Sequence, residues 1–378
     1  MHILMTVNAA WNIWNFRRAV VRALIGKGHA VTVLAPLDDS VAELEALGCR
    51  TLPLAMNAKG LNPLEGLRLV SAFKRTFKTE KPDIVLSYTI KNNLFGAMAA
   101  KPLGIPFVPN VTGLGTAFLS GGALEKIAEI LYRRAFAKLP IIFFQNEDDE
   151  ALFVSRALVT SKQAHRLPGS GINLQHYEAK AIPRKKTPAF LLIARLLRDK
   201  GVNEFVEAAR QIKSERPDVK FQLLGAIGSE NRSAIPASTV DAWVAEGVVD
   251  YLGTVKDVRP VIEAANCVVL PSYREGAPRT LIEAAAMARP LITTDVPGCR
   301  SIVDDGENGF LCHVRDSRNL AHAIAKFLAL STEQQKEMGK AGRAKMAREF
   351  DEQIVVDAYM SAIDHLTGGS SKPDGRPA

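Results

Sequence analysis

Short apolar runs rich in β-branched residues alternate, from the first residues onward, with stretches whose apolar positions recur every three or four residues. That alternation is the pattern of parallel strands joined by crossover helices. Residues 3–7 and 30–35 read as strands, and between them Phe16, Ala19, Val20, Ala23 and Leu24 fall on one helical face. Runs at 51–54, 83–87, 106–110 and 141–145 predict further strands, with helices at 63–78, 93–103 and 124–138. Together they make one doubly wound sheet.

Residues 179–188 hold two prolines and the basic cluster 184–186, the composition of a linker. A second series of strands follows at 190–194, 221–224, 248–252, 267–271 and 291–294, with helices near 202–212, 257–264 and 279–287. The expected fold class is α/β, with two Rossmann-like domains in tandem at 1–180 and 181–350. Past Ser317 the chain reads as helical to about His365, and residues 366–378 have the composition of a mobile tail.

At 378 residues, 47% hydrophobic and 23% charged, the chain can bury two cores, and its composition excludes wholesale disorder, collagen and coiled coil. No apolar run reaches the roughly 18–20 residues that cross a bilayer. The first residues enter a strand without the basic, apolar and small-residue pattern of an export signal, so a cytoplasmic location is expected. Cys49, Cys267, Cys299 and Cys312 form no Cys-x-x-Cys pair and read as reduced thiols without zinc. His165 and His176 lack metal-ligand spacing, so packing or surface roles suit them.

The net charge is +8, and residues 1–182 carry +7 of it, 21 Lys and Arg against 14 Asp and Glu. Such a field suits an anionic partner (lipid surface, phosphorylated substrate or nucleic acid) or a merely soluble basic surface. Two helices sharpen the choice: 63–78 adds Arg68, Lys74, Arg75 and Lys78 to an apolar stripe, and 124–138 adds Lys126, Arg133, Arg134 and Lys138. Each basic face is either solvated or laid on an anionic membrane; the charge of the half-chain favours the membrane.

Two stretches carry chemistry. After the strand ending near Ser272 comes Glu275-Gly276-Ala277-Pro278-Arg279, then a helix containing Glu283. Gly276 lets backbone approach a ligand, Pro278 suits a first helical turn, and free N–H groups at a helix start attract phosphate. Glu275 and Glu283 could flank one bound molecule and accept sugar hydroxyls; by themselves, such a pair is more often solvated surface. Arg195 and Lys200 follow the strand at 190–194, where doubly wound sheets bind ligands, and two cations there could neutralise a diphosphate or stand as surface charges. Asn8-Ala9-Ala10 lacks the Gly-x-Gly-x-x-Gly fingerprint, which counts against a dinucleotide cofactor. Trp11 and Trp14 either border a sugar or lipid or pack in the core.

Ala194-Arg195, Lys200-Gly201-Val202, Leu270-Pro271-Ser272-Tyr273-Arg274-Glu275-Gly276 and Glu283-Ala284 together resemble family 4 glycosyltransferases of the GT-B fold. Gly171-Ile172-Asn173 and the stretch from Asp304 to Phe310 extend the resemblance, which covers residues 1 to about 365. It implies two Rossmann-like domains facing a central cleft, with a helix near 351–365 packing back on the first. It also implies a retaining transfer without metal. Arg195 and Lys200 would bind the donor diphosphate, Glu275 the donor sugar and Glu283 the ribose. Backbone at Gly276, Ala277, Pro278 and Arg279 would cradle sugar and phosphate, and Thr254 and Val255 would border the base.

Asn15-Phe16-Arg17, Leu61-Asn62-Pro63, Lys91-Asn92-Asn93 and Gly113-Leu114-Gly115 resemble, more narrowly, the bacterial subgroup that extends polyprenyl-diphosphate-linked sugars. The implied acceptor contacts are Asn15, Arg17, Lys91, Asn93, Thr112 and Gly113; Arg17 and Lys91 are equally readable as structural ion-pair partners. Thr112 stands where many relatives place His or Glu, and Ala277 where they often place a bulkier residue. The implied partners are a UDP-hexose or UDP-N-acetylhexosamine and a polyprenyl-diphosphate sugar, on the inner face of the cell membrane, with no nucleic acid. Alternatives are a non-hydrolysing UDP-sugar epimerase on the same plan and a noncatalytic polysaccharide-assembly component.

Overall fold

A computed structural model describes residues 1–56, 63–114, 122–183, 187–228, 231 and 233–368. Leu61, Asn62, Gly115, the basic cluster 184–186 and the tail from 369 onward lie outside the described residues. The chain divides into two compact units, Met1–Ser170 with Glu352–Ala378, and Gly171–Asp351.

In the first unit β1 (His2–Thr6), β2 (Ala30–Ala35), β3 (Arg50–Pro53), β4 (Ile84–Tyr88), β5 (Phe107–Val111), β6 (Ile142–Phe144) and β7 (Ala164–Arg166) form a parallel sheet. Its order is β3-β2-β1-β4-β5-β6-β7, with Ile3 opposite Val31 on one side and Ile84 on the other. The central strands are covered on both faces, which is why they read as unbroken apolar runs. One face carries α1 (Ala10–Phe16), α2 (Arg18–Gly26), α3 (Val41–Ala46) and the C-terminal helix Glu352–Thr367, whose Val355, Tyr359 and Ile363 join that core. The other carries α4 (Pro63–Glu80), α5 (Ile90–Ala100), α6 (Gly122–Phe136) and α7 (Glu147–Ser155) around Phe73, Leu94, Phe136 and Phe153.

The helical face expected across Phe16 to Leu24 is two helices. The chain leaves helical geometry at Arg17 (φ −131°), whose N–H still donates to the Ile13 carbonyl at 2.9 Å. The break turns the Arg17 side chain inward, with its guanidinium 4.7 Å above the Tyr88 ring.

In the second unit the elements are β8 (Ala189–Ile193), α8 (Val202–Glu215), β9 (Lys220–Leu224), α9 (Ala237–Ala245), β10 (Asp250–Tyr251), α10 (Arg259–Ala264) and β11 (Cys267–Leu270). They continue with α11 (Arg279–Ala286), β12 (Leu291–Thr294), β13 (Gly309–Cys312), α12 (Ser317–Ala329) and α13 (Thr332–Glu349). The sheet order is β10-β9-β8-β11-β12-β13, again parallel.

β7 and β13 are additions to the expected strands. Gly309 opens β13 because a Cβ there would lie 2.2 Å from the Leu291 carbonyl oxygen of β12. The preceding turn is held by Asn308, which accepts from the Asp304 N–H at 2.8 Å and donates to the Ile302 carbonyl at 2.9 Å. The stretch from Asp304 to Phe310 therefore builds a turn and a strand.

Residues 171–183 belong to the second unit, ahead of the expected boundary at 180. Arg289, fully buried, donates to the carbonyls of Lys180 and Ala181, and Arg343 donates to those of Leu174 and Tyr177. Two arginines thus bind a segment that holds one β-bridge, Ile172 to Asp351, and neither helix nor strand.

Candidate functional site

In the second sheet the strand order reverses between β8 and β11, and ligands of doubly wound sheets bind at the carboxyl ends of strands at such a point. Lys200 arrives there from β8, at the end of the one-turn helix Arg198–Lys200. Gly201 closes the turn at φ 70°, and a Cβ on it would stand 2.0 Å from the Pro271 carbonyl oxygen, so glycine lets the loops after β8 and β11 touch. The Asp199 carbonyl ties them further, accepting from Ser272 Oγ at 3.1 Å and the Tyr273 N–H at 2.9 Å.

Glu275 comes from the β11 loop, its N–H on the Pro297 carbonyl at 3.3 Å. Gly298 packs beneath it: a Cβ there would be 2.6 Å from the Glu275 carbonyl oxygen and 2.5 Å from that of Gly276. The outcome is a pair, Lys200 Nζ to Glu275 Oε1 at 2.5 Å, with the side chains 24% and 11% exposed.

A second pair lies one turn into α11. Arg279 Nε donates to Glu283 Oε1 at 2.8 Å and its Nη1 to the Gly171 carbonyl at 2.6 Å. Tyr177 OH donates to the same Glu283 oxygen at 2.7 Å. Burial opposes the Arg279 charge, and Glu283 with Tyr177 overcomes it, so the guanidinium holds its proton more tightly than usual. Burial first, then the Glu283 charge, pushes the Tyr177 phenol up, which keeps it a donor. Both bonds fall on Oε1, and Oε2 faces no partner among the described residues.

Thr280 Oγ1 ties the start of α11 to the Ile193 carbonyl at the end of β8, at 3.1 Å. Pro278 is the residue before the first turn rather than within it, its carbonyl accepting from the Leu281 and Ile282 N–H groups. Ahead of Leu281, the Thr280 N–H has no carbonyl one turn back within the helix to bond. Ala277 packs on the apolar cluster beneath the helix.

Arg195 is exposed and makes no ion pair with any described residue, nor does a bond join it to Lys200 or Glu275. Thr254 and Val255 are exposed beyond Gly253, whose carbonyl accepts from the Gly225 N–H at 2.8 Å while Tyr251 OH donates to the Gly225 carbonyl at 2.9 Å. Gly225 also packs on Ala194, where a Cβ would lie 1.7 Å from the carbonyl oxygen. The loops after β8, β9 and β10 therefore converge on one glycine.

Sequence reasoning passed over Tyr177, Gly298 and Arg343. Tyr177 belongs to no motif; its N–H donates to the Asn173 carbonyl at 2.9 Å, its carbonyl accepts from Arg343, and its OH reaches Glu283.

In the first unit the order reverses between β1 and β4. Arg17 is 3% exposed, and its Nε is buried without a hydrogen-bond partner. Lys91 pairs with Glu65 at 3.1 Å, and Asn92 donates to Thr6 Oγ1 at 2.8 Å. Asn93 donates to the Asn110 carbonyl at 2.8 Å, leaving its Oδ1 buried and unpaired, as is Ser87 Oγ. Thr89, which opens α5, holds φ 68° and ψ 151°, a conformation that costs a non-glycine residue strain. Asn15 lies on its own helix, donating to the Trp11 carbonyl at 2.9 Å. Thr112 and Gly113 are half-buried, Gly113 at φ 154°. Buried polar atoms rarely stay unpaired, and Arg17 Nε, Ser87 Oγ and Asn93 Oδ1 are exceptions in this unit.

No helix among the described residues is long and apolar enough to cross a membrane.

Residues 13–169 match the family described as glycosyl transferase 4-like domain, and residues 175–345 match glycosyl transferases group 1. The chain is 27% identical over 383 residues to the N,N'-diacetylbacillosaminyl-diphospho-undecaprenol alpha-1,3-N-acetylgalactosaminyltransferase of Campylobacter jejuni, covering 97% of this chain and 99% of that one. It is 27% identical over 308 residues to the UDP-Gal:alpha-D-GlcNAc-diphosphoundecaprenol alpha-1,3-galactosyltransferase of Escherichia coli, covering 77% of this chain and 76% of that one. The crystal structure of Anabaena HepE in complex with UDP superimposes with a TM-score of 0.78 at 18% identity, over 97% of this chain and 100% of that one, a likeness of fold. With two glycosyltransferase domains in tandem, both doubly wound, the chain belongs to the family 4 glycosyltransferases of the GT-B fold.

Proposed function

We propose that this glycosyltransferase moves a hexose or N-acetylhexosamine from a UDP-sugar to a polyprenyl-diphosphate-linked sugar in the assembly of a surface polysaccharide or glycan. The observation that carries the reading is the Lys200–Glu275 pair at the strand reversal of the second sheet, a cation for phosphate beside a carboxylate for sugar hydroxyls. The activities of the Campylobacter jejuni and Escherichia coli relatives, both acting on undecaprenyl-diphosphate sugars, support the acceptor class.

In this reading Lys200 and the unpaired Arg195 neutralise the donor diphosphate, so no metal is needed. Glu275 accepts hydroxyls of the donor sugar, and Glu283, aimed by Arg279 and Tyr177, offers Oε2 to the ribose. The backbone from Gly276 to Arg279 cradles the sugar and phosphate, and Thr254 and Val255 border the base. Transfer retains configuration: the acceptor oxygen bonds the anomeric carbon as its bond to the diphosphate breaks, and the departing phosphate oxygen takes the acceptor proton.

The acceptor binds the first unit near Asn15, Arg17, Lys91, Asn93, Thr112 and Gly113, a reading supported by the unpaired polar atoms of Arg17 and Asn93. The enzyme works peripherally on the inner face of the cell membrane, drawn there by the +7 charge of its first 182 residues. Incubation with a panel of UDP-sugars and short-chain polyprenyl-diphosphate sugars, read by mass spectrometry, tests the reading. One donor–acceptor combination gaining a single sugar is expected; donor epimerised without acceptor, or no transfer with any combination, overturns it.

A further inference from the structure

The outward faces of α4 and α6 are built differently from the rest of the surface. Both helices pack against α5 on the same side of the first sheet. On α6, Ile127 and Ile130 are 52% and 53% exposed and Leu124 40%. At 100° per residue Ile127, Arg134 and Ile130 fall within about 60° of arc, flanked by Leu124, Lys126 and Arg133. Ala128, Tyr132, Ala135 and Phe136 occupy the opposite, buried side. On α4, Leu67 is 69% exposed beside Arg68, with Lys74 and Arg75 two turns on.

The charges are sorted as well. Every carboxylate of these two helices is engaged by a cation from elsewhere: Glu65 by Lys91, Glu80 by Arg50, and Glu125 and Glu129 by Arg156. The outward cations make no ion pair with any described residue, and of them Arg133 donates to the Ala157 and Arg156 carbonyls, each at 3.4 Å. The result is a face of unpaired positive charge with large aliphatic side chains at its centre.

We propose that α6 lies in the plane of an anionic bilayer surface, with Ile127 and Ile130 entering the boundary of headgroups and acyl chains. Lys126, Arg133 and Arg134 take lipid phosphates, and α4 holds the flank through Arg68, Lys74 and Arg75. Nucleic acid would meet the cations but offers nothing to exposed isoleucines. A second copy would bring two faces of like charge together. The proposal rests on the peripheral-membrane reading above and deepens it by naming the face.

Co-sedimentation of the full chain with vesicles of phosphatidylglycerol and phosphatidylethanolamine, beside phosphatidylcholine vesicles, tests it. The wild type should bind only the anionic vesicles and release at high salt. Ile127→Ser/Ile130→Ser should bind about tenfold or more weakly, and Lys126→Ala and Arg134→Ala about fivefold each, while turnover on a short-chain acceptor in solution stays at the wild-type level. Undiminished vesicle binding by Ile127→Ser/Ile130→Ser, with that turnover intact, overturns the face but leaves membrane association standing. A wild type that transfers sugar in solution but ignores every vesicle overturns both the face and the membrane reading, and spares the glycosyltransferase. A wild-type dimer that Ile127→Ser/Ile130→Ser abolishes, with no vesicle binding, overturns the proposal in favour of a second copy.

Discussion

Lys200 Nζ donates to Glu275 Oε1 at 2.5 Å across 75 residues of sequence, and the contact exists because Gly201 and Gly298 let three loops close on one another. In the proposed donor complex, diphosphate draws Lys200 and sugar hydroxyls draw Glu275, so each partner orients the other until the ligand arrives. Lys200→Ala and Glu275→Ala should each lower turnover about 100- to 1,000-fold, with the thermal midpoint and circular dichroism close to wild type. Because the two side chains touch, their effects should not add in the double variant. Steady-state kinetics with UDP-sugar check this, and near-normal turnover in both single variants removes the pair from the site.

Tyr177→Phe takes one of two donors from Glu283 Oε1 and leaves Arg279 in place. Losing a single hydrogen bond of this kind costs about 0.5–1.5 kcal/mol, so KM for the donor should rise about three- to tenfold with kcat within about twofold. A drop in kcat at unchanged KM would show that Tyr177 acts on the reacting centre and not on the carboxylate that binds the ligand.

Most strands of both sheets were legible, because a strand covered on both faces must be an unbroken apolar run, as in Ile84 to Leu86 or Val268 to Leu270. The strands that escaped notice are short and lack that signature: β7 is Ala-His-Arg with two exposed residues, and β13 opens on a glycine. Lys200, Glu275 and Glu283 were legible as site candidates because each sits at a fixed offset from a strand end or helix start. Tyr177 was not, since no motif marks it and its bond to Glu283 spans 106 residues of sequence. The break at Arg17 was equally hidden, because an arginine that leaves a helix to stack on Tyr88 looks in sequence like one facing water.

Arg289 is fully buried and donates to five carbonyls, those of Lys180, Ala181, Ile262, Glu263 and Ala288. Burial lowers its pKa to about 10, still high enough to keep the charge at neutral pH. Arg289→Ala would remove a fully buried side chain together with all five of these hydrogen bonds, a loss of about 3 kcal/mol or more. Urea unfolding followed by Trp243 fluorescence, in a background where Trp11 and Trp14 are replaced by Phe, should show the second unit melting at clearly lower urea. An unchanged midpoint would mean that the 171–183 loop is held by other bonds.

All four cysteines are buried and free, and burial pushes Cys49 up to about 11 and Cys299 and Cys312 up to about 12. Native protein at pH 8 should therefore give almost no reaction with a disulfide reagent, and four thiols after denaturation. The linked stability is constant below the ordinary thiol pKa near 9. Above that pH the unfolded chain releases protons that the folded chain keeps, so stability falls as pH rises. Rapid labelling of native protein at pH 8, or a urea midpoint that rises from pH 9 to 10, would contradict the burial of these thiols.

The most direct test is calorimetric titration of the full chain with UDP in EDTA, wild type beside Arg195→Ala/Lys200→Ala. The expected result is binding by the wild type without metal, weakened about 100-fold or more in the double variant as two charged contacts to the diphosphate are lost. Equal affinity in both proteins, or a wild type that takes up no UDP, would contradict a diphosphate held by these two cations.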